Sequence, residues 1–172
     1  EQSQFYHIHY KKENGADGIT IATQRPETIF ADVAIAVHPK DPRYSQLVGQ
    51  KVLVPLIGRA IPIIADDYVD IELGTGALKI TPAHDPNDYE IGQRHHLEII
   101  DIITDDGRIS EQCTFTPLVG LDRFEARKRM KALLEESNNL VKIEDYQTKI
   151  GRSERTQSVV EPKLSLQWFV KM

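Results

Sequence analysis

Short runs of valine and isoleucine, broken by proline and glycine, constrain the fold of the first half of this chain more than any other feature. The runs are too short for amphipathic helices, and their composition favours β-strands. We predict strands over residues 5–10, 19–23, 34–37, 51–54, 61–64 and 77–80. Many short strands with turn signals predict an α+β protein with a β-barrel-like set of mostly antiparallel strands, rather than a doubly wound sheet.

Two peripheral helices are predicted beside these strands. The first begins at Asp85, a good N-cap, has Pro86 at its first position and extends to about His96. The second covers residues 122–137, and its apolar residues are predicted to face a core: Phe124, Met130, Leu133 and Leu134. A further strand is predicted over residues 99–104, which a turn at residues 105–107 ends.

The charge balance and the single cysteine exclude several classes of protein. The chain has 21 basic and 26 acidic residues, a net charge of −5, whereas proteins that grip long duplexes are usually basic. Any contact with nucleic acid should therefore be local, such as a contact with a single-stranded end. Cys113 alone forms neither an internal disulfide nor a cysteine-rich zinc site, which is consistent with a cytoplasmic protein. No apolar run reaches membrane-spanning length, so no membrane contact is expected.

The composition becomes more polar beyond Tyr146. We predict one domain over residues 1–146, and a linker or strand over residues 147–172 that returns toward a missing part of a larger protein. The first residue is not methionine, which favours an excised piece.

The first polar cluster is the segment Thr-Gln-Arg-Pro-Glu-Thr at residues 23–28, directly after a predicted strand. Strand ends fix ligand-binding groups while their side chains reach solvent. Arg25 could hold a phosphate or a carboxylate, and Thr23 and Thr28 supply hydroxyl groups. A helix cap with a solvated arginine is the simpler interpretation from the pattern alone.

The second polar cluster covers residues 74–89, from Gly-Thr-Gly through a strand to the first predicted helix. Lys79 and Thr81 are two apart and should share one face of the strand. Asp85 and Asp88 are three apart on the first helical turn, so they can flank one pocket. Helix capping alone would also explain both aspartates. The glycines lack the Lys-Ser or Lys-Thr ending of a phosphate loop.

Neither a metal site nor a protein nucleophile is predicted. His84 and Asp88 have i, i+4 spacing, but the His-Glu-x-x-His pattern and paired cysteines are absent from the sequence. The sequence also lacks a Gly-x-Ser-x-Gly elbow. No cofactor is expected, and a hydrolase of this composition would position a water molecule.

The two clusters together resemble the motifs of the editing domains of valyl-, leucyl- and isoleucyl-tRNA synthetases. Residues 21–28 are similar to the threonine-rich motif of that family, and residues 74–90 are similar to its second motif. Lys79 and the sequence Ala-His-Asp at residues 83–85 resemble the valyl branch, as does the tail at residues 160–162 and 167–170. Gln24 departs from the family, which usually has a second threonine there.

The resemblance implies hydrolysis of threonine that has been mistakenly attached to the tRNA for valine. By resemblance, Asp88 binds the α-ammonium group of the amino acid, and Asp85, Lys79 and Thr81 read its hydroxyl. Arg25, Thr23 and Thr28 contact the terminal adenosine or orient the ester. The implied catalytic residues are Asp88, Lys79, Asp85 and Arg25, and the implied substrate-binding residues are Thr23, Gln24, Thr28, Thr81 and His84.

The implied partners are the 3′ end of the tRNA for valine carrying threonine and the rest of the synthetase. The His-Ile-Gly-His and Lys-Met-Ser-Lys-Ser signatures are absent from the sequence, so ATP binding and aminoacylation should belong to the full-length enzyme. Three alternatives stay open: a leucyl- or isoleucyl-type editing domain, a non-catalytic insertion that binds the tRNA acceptor end, and a purely structural insertion. The identity of the general base is also open.

Overall fold

The structure, a computed structural model, describes residues 2–15 and 17–147. This part of the chain contains seven strands, two α-helices and two short 3-10 helices. The strands and α-helices are β1 (Gln2–Tyr10), β2 (Ile19–Thr23), β3 (Ala34–Val37), β4 (Lys51–Leu53), β5 (Ala60–Ala65), β6 (Ala77–Ile80), α1 (Pro86–Arg94), α2 (Arg123–Glu136) and β7 (Leu140–Gln147). The 3-10 helices are Pro26–Ala31 and Thr116–Leu118. The predicted returning segment lies, beyond Gln147, outside the described residues.

The described strands form two open sheets. One is antiparallel in the order β2-β1-β7, and the other is mixed in the order β4-β5-β3-β6. Within the mixed sheet β3 pairs in parallel with β5, and the other pairs are antiparallel. The predicted α+β class with short, mostly antiparallel strands and peripheral helices is confirmed, although the described strands do not close into one barrel.

Strand β3 is buried on both faces and joins two parts of the core. Ile35 and Val37 belong to the main core with residues of β1, β2 and α2. Ala34 and Ala36 point to the opposite side, into a smaller cluster with Ile80 of β6. This alternation follows from the two-residue period of a strand, and the small alanines allow α1 to pack closely. Strand β6, which carries part of the second polar cluster, is therefore held by its pairing with β3 and by packing of Ile80 against α1.

Helix α1 begins where the sequence predicts. The Asp85 side chain accepts hydrogen bonds from the amides of Asn87 and Asp88, and Pro86 occupies the first turn, where no amide donor is needed. The helix ends at Arg94, and His95 is its C-cap. On its inner face, a Cβ atom added at Gly92 would lie 3.0 Å from a Pro82 carbon, so glycine permits the close approach.

Helix α2 confirms the second helical prediction, with a buried face that differs in part. Ala126, Met130 and Leu134 are fully buried at i, i+4 spacing. Leu133 is partly buried against this core, whereas Phe124 lies beneath the guanidinium of Arg123 at 4.5 Å. Strand β7 follows α2 and pairs with β1, and the sequence analysis did not predict it.

The predicted strand over residues 99–104 is wrong. Ile103 forms only an isolated bridge with Ile109, and no named strand occupies these described residues. The amide of Ile102 donates to the imidazole of His84 at 3.2 Å, and the amide of Ile103 donates to the Asp101 side chain at 3.1 Å. Ile102 and Ile103 are buried in the main core. The segment makes two backbone hydrogen bonds with residues 108–110, and side-chain acceptors bind the amides of Ile102 and Ile103.

Candidate functional site

The ends of β2 and β6 bring the two polar clusters together. Two hydrogen bonds cross between them: the Arg25 guanidinium donates to the backbone oxygen of His84 at 2.9 Å, and the Lys79 ammonium donates to the Thr28 hydroxyl at 2.8 Å. The Thr28 hydroxyl in turn donates to the backbone oxygen of Arg25 at 2.9 Å. Segments that are about fifty residues apart in sequence therefore form one site.

Asp85 and Asp88 lie side by side at the start of α1. Asp85 Oδ1 accepts from the amides of Asn87 and Asp88 at 2.8 and 3.2 Å, which fixes it as the helix cap. Asp88 Oδ2 accepts from the Thr81 amide at 3.0 Å and lies 3.3 Å from the Thr81 hydroxyl. Because Thr81 follows directly after β6, the sheet fixes the position of the Asp88 carboxylate.

Burial dominates the acidity of Asp88. The residue is only 6% exposed, and this desolvation, together with the neighbouring charge of Asp85, raises its pKa to about 6. The Thr81 amide and the positive charge of Lys79 act in the opposite direction, lowering the pKa. Asp88 is thus a carboxylate at neutral pH whose charge is weakly solvated, so a bound cation would stabilise it.

Both carboxylates line a pocket of about 220 Å³. Its wall is mainly apolar, and its rim carries Tyr68 and Leu73, which are 50% and 54% exposed. The other apolar lining residues are Phe5, Ala22, Val69, Ala77 and Leu78. A pocket with an acidic end and an apolar wall fits a small molecule that carries both an ammonium group and an aliphatic portion.

The Gly-Thr-Gly turn forms one wall of this pocket because glycine permits two close approaches. Gly74 and Gly76 have positive φ values of 59° and 78°. A Cβ atom at Gly74 would lie 3.1 Å from Ala22 Cβ, and one at Gly76 would lie 2.4 Å from Arg43 Nη2. The Thr75 hydroxyl between them donates to the backbone oxygen of Thr20 at 2.6 Å, which holds the turn against β2.

Lys79 and Thr28 belong to a buried cluster and are not among the residues that line the pocket. The Lys79 ammonium lies 2.9 Å from Asp32 Oδ1, and their side chains are 6% and 0% exposed. Tyr10 donates its hydroxyl to Asp32 Oδ2 at 2.5 Å. Burial raises the pKa of Asp32 to about 6, and the Lys79 charge opposes that increase.

The threonines of the first motif contact the Arg25 backbone. The Thr23 hydroxyl oxygen accepts a hydrogen bond from the Arg25 amide at 3.1 Å, and this bond shapes the turn after β2. Burial lowers the pKa of Arg25, while the charges of Glu27, Asp85 and Asp88 act to raise it. Gln24 is half-buried and is absent from the pocket lining. Arg25 is thus the cation of this motif that lies within electrostatic range of both pocket carboxylates.

The His84 side chain faces away from the pocket lining. It is fully buried, its Nε2 accepts from the Ile102 amide, and it lies 3.7 Å from Asp101 Oδ1. Its backbone oxygen, rather than its ring, contacts Arg25. The predicted contact between the His84 side chain and a substrate stays a prediction, and the ring anchors the segment after α1.

The sequence analysis missed Asp32 and Tyr10. A signal was present: Asp32 is the one charged residue within the apolar run at residues 29–37, and Lys79 is the one charged residue of β6. Two lone, opposite charges in apolar runs indicate a buried ion pair, since a charge buried alone is very costly. Tyr10 has no such signal, because alternation in β1 predicts only that it faces inward.

The described residues contain no group of three or more histidine, cysteine, aspartate or glutamate side chains that could hold a metal ion. Neither of the two α-helices described above is long and apolar enough to cross a bilayer.

Comparisons with known proteins identify the family. The family described as leucyl-tRNA synthetase, editing domain, matches residues 43–118. The valine–tRNA ligase of Streptococcus agalactiae is 54% identical over 171 residues, 99% of this chain and 19% of that protein. That of Bacillus subtilis is 52% identical over the same shares. That of Chlorobaculum tepidum is 60% identical over 154 residues, 90% of this chain and 17% of that protein.

The chain belongs to the editing-domain family of valyl-tRNA synthetases. The resemblance that the two motifs carry is therefore confirmed, including the choice of the valyl branch. The chain spans about a fifth of the length of the valine–tRNA ligases it matches.

A solved structure supports the fold of this editing domain. The chain is similar to the ternary complex of Agrobacterium radiobacter K84 agnB2 LeuRS with tRNA and LeuAMS, with a TM-score of 0.67 and 18% identity. The match covers 84% of this chain and 20% of that chain. At this identity the likeness concerns the fold alone.

Proposed function

We propose that this editing domain hydrolyses the ester bond of threonyl-tRNA formed on the tRNA for valine. The observation that carries the proposal is the buried carboxylate of Asp88 at the acidic end of a small, mainly apolar pocket. An aminoacyl ester carries a free α-ammonium group, and an ionised carboxylate is its natural partner through a charge-assisted hydrogen bond.

Editing compensates for the limited ability of the synthetic site of a full-length enzyme to reject threonine. An apolar pocket discriminates poorly against an isostere that differs only by an added hydroxyl. Discrimination of valyl-tRNA synthetase against threonine, at about a hundredfold, is a well-known example. A second site that hydrogen-bonds the hydroxyl prefers threonine, because valine would leave polar groups unpaired. Thr81, directly after β6, lies 3.3 Å from Asp88, and the Lys79 charge acts on the same carboxylate. We assign the reading of the hydroxyl to these two residues, which adjoin Asp88 behind the residues that line the pocket.

The hydrolysis itself uses a positioned water molecule. Cys113, the one thiol of the chain, is 2% exposed and accompanies the core residues around Phe115, outside the pocket lining. With the ammonium on Asp88, we assign the ester carbonyl to the side of the site near Arg25, because the Arg25 charge is within electrostatic range of both Asp85 and Asp88. A cation near that carbonyl stabilises the negative charge that develops when water attacks.

The 3′ end of the tRNA is the proposed macromolecular partner, and the cytoplasm is the proposed location. Single-stranded ends are recognised by stacking and a few polar contacts, which agrees with an acidic chain. Tyr68 and Leu73 at the pocket rim provide an exposed apolar surface for the terminal base.

Accumulation of mischarged tRNA tests the proposal in the full-length synthetase. The Asp88→Ala enzyme, supplied with threonine and the tRNA for valine, should accumulate threonyl-tRNA that the wild-type enzyme removes. Asp67→Ala is the matched control, because Asp67 lies on the loop that leads to the pocket but its side chain is 88% exposed. Failure of the Asp88→Ala enzyme to accumulate threonyl-tRNA, with normal valine charging, would contradict the assignment.

A further inference from the structure

Four buried residues form one group, here called the Lys79 cluster: Lys79, Asp32, Tyr10 and Thr28. Lys79 and Thr28 have a proposed part in binding or hydrolysis, whereas Asp32 and Tyr10 have none. Asp32 and Tyr10 are both fully buried. Asp32 lies at the end of the Pro26–Ala31 3-10 helix, and Tyr10 lies in β1. Arg59 donates to the backbone oxygens of Phe30 and Asp32, which fixes the end of that helix. Asp32 is therefore held by three separate segments of the chain.

The geometry of the cluster restricts the Lys79 ammonium. Asp32 Oδ2 accepts the Tyr10 hydroxyl at 2.5 Å, so Oδ1 is left to face Lys79 at 2.9 Å. Lys79 also donates to Thr28 at 2.8 Å. An ammonium carries three N–H donors, so among the described residues one donor stays available beyond these two partners.

Besides Asp32, the Lys79 charge also acts on the substrate-binding carboxylate of Asp88, whose pKa it lowers, so Asp88 is an alternative counter-charge for Lys79. Lys79 and Thr81 lie on the same face of β6 and its continuation, and Thr81 bonds to Asp88 at 3.0 Å. A lysine that is 6% exposed needs an ionic partner, because a charge buried alone is strongly destabilising. If Lys79 paired with Asp88, it would occupy the position that the substrate ammonium requires.

We propose that Asp32 is a positioning residue that holds Lys79 away from Asp88, which keeps Asp88 open to the substrate ammonium and keeps one Lys79 donor at a fixed place for the substrate hydroxyl. Tyr10 contributes by fixing the orientation of the Asp32 carboxylate. This inference rests on the proposed editing function, since it concerns how the same pocket selects its substrate.

Single-turnover hydrolysis of threonyl-tRNA and valyl-tRNA by the full-length synthetase tests this role. Asp32→Asn should lower the rate on threonyl-tRNA by about tenfold or more, as expected for the loss of a buried charged partner, and should reduce the threonine-to-valine rate ratio. The double variant Asp32→Asn, Lys79→Met should hydrolyse threonyl-tRNA faster than Asp32→Asn alone, because Asp88 is open again. Its rate ratio should stay low, because the Lys79 donor is gone.

Two further variants separate positioning from stability. Glu27→Gln is the matched control: Glu27 is as buried as Asp32, lies on the 3-10 helix that Asp32 follows and pairs with Arg127 at 2.7 Å, not with Lys79. It should reduce stability and leave the rate ratio unchanged. Tyr10→Phe keeps the charges of Asp32 and Lys79 and should lower the threonine-to-valine rate ratio, by less than Asp32→Asn does. If Asp32→Asn does not fold, the result for Tyr10→Phe decides the test.

The outcomes distinguish this inference from the function on which it rests. If the wild-type enzyme does not hydrolyse threonyl-tRNA, both are overturned. If the wild-type enzyme does so and folded Asp32→Asn and Tyr10→Phe keep its rate ratio, only the positioning role is overturned. A double variant no faster than Asp32→Asn would likewise overturn the idea that Asp32 keeps Lys79 from Asp88.

Discussion

Asp88 combines burial with ionisation, and this combination defines the site at the scale of single residues. Taking a carboxylate out of water is costly, and the raised pKa of about 6 expresses that cost. The Thr81 amide offsets part of it, and a substrate ammonium would offset more. A carboxylate that gains stability from a cation is well suited to bind one, whereas a fully solvated carboxylate gains little.

The raised pKa predicts a pH dependence of hydrolysis. The ionised form of Asp88 binds the ammonium, so the hydrolysis rate should fall as pH decreases through about 6. Protonation of Asp32, whose pKa is also about 6, would release Lys79 and act in the same direction. Single-turnover rates measured from about pH 5 to about pH 8 check this prediction. A rate that stays constant below pH 6 would show that neither carboxylate is needed in its charged form.

At the scale of elements, the site depends on how closely the Gly74–Gly76 turn, β6 and α1 approach one another. Thr75 holds the turn to β2. Tyr44, in the loop between β3 and β4, also holds it, since the Tyr44 hydroxyl donates to the Thr75 backbone oxygen at 2.5 Å. On the opposite side, Asp66 joins the C-terminus of α1 to the loop after β5 that carries Tyr68. The pocket is thus a gap between elements that are fixed independently.

Substituting Gly76 should damage both stability and hydrolysis. A Cβ atom there would displace Arg43 from its ion pair with the buried Asp41 and lie 3.1 Å from the Ile71 oxygen, in addition to the strain of a φ of 78°. Gly120→Ala is the control, since Gly120 has a φ of 85° but no atom within 4 Å of the added Cβ. Gly120→Ala should cost about 1–2 kcal/mol in the free energy of unfolding. Gly76→Ala should cost more and slow hydrolysis; equal losses for the two variants would contradict the packing argument.

Asp66 should stabilise the connection between α1 and the pocket loop in a pH-dependent manner. Its carboxylate accepts from Arg94 at 3.0 Å and lies 2.9 Å from His95 Nε2, and despite burial these bonds and the Tyr68 amide lower its pKa to about 2. A pKa lowered on folding gives stability that is present above the unfolded value of 3.8 and is lost as pH falls toward 2.

Asp66→Asn should therefore lower the free energy of unfolding by about 1–2 kcal/mol at neutral pH, a modest value because Arg94 is half exposed. The difference from the wild type should shrink as pH falls toward 2. Urea unfolding at several pH values measures both effects, with Asp67→Asn as the exposed control. A difference that does not change with pH would show that the ion pair is not its cause.

Local sequence signals predicted the elements well where one signal dominated. Asp85 and Pro86 set the start of α1, alternation of apolar and polar residues marked β1, and short runs rich in valine or isoleucine marked β2 to β6. The segment at residues 99–104 failed because burial of Ile102 and Ile103 gives the same apolar pattern as a strand, while the acceptor on His84 is distant in sequence. Strand β7 was missed because its charged residues, including Lys142 and Glu144, mask the alternation of an edge strand.

For the site, the sequence predicted which residues come together better than it predicted how their side chains pair. It brought Asp85, Asp88 and Thr81 to one place, and the structure does the same. It did not reveal that Lys79 faces a buried carboxylate, since the pairing of Asp32 with Lys79 depends on the register between β3 and β6. Long-range pairings of this kind are set by packing of the whole fold rather than by local pattern.

At the scale of the whole molecule, the net charge of −5 limits how the chain meets RNA. Affinity for nucleic acid comes largely from phosphate contacts with basic residues. A pocket for one aminoacylated end requires few of them, so in a full-length valine–tRNA ligase most of the affinity for tRNA should come from the parts that this chain does not span.

The chain alone should accordingly bind the tRNA for valine weakly and with a shallow salt dependence. A slope of log affinity against log salt that corresponds to about three phosphates or fewer is expected, with a much steeper slope for the full-length enzyme. Filter binding or fluorescence titration over a range of salt concentrations measures both. Tight binding by the chain alone with a steep slope would instead indicate an extended RNA surface on this domain.

We propose that the pocket between β6 and α1 removes threonine, and not valine, from the tRNA for valine without a metal ion. The most direct test is deacylation of preformed threonyl-tRNA and valyl-tRNA, both on the tRNA for valine, by the full-length synthetase in the presence of a chelator, with Asp88→Ala in parallel. We predict rapid loss of threonine, slow loss of valine and no threonine loss in the variant. Equal rates on the two esters, inhibition by the chelator, or full activity of Asp88→Ala would contradict the account.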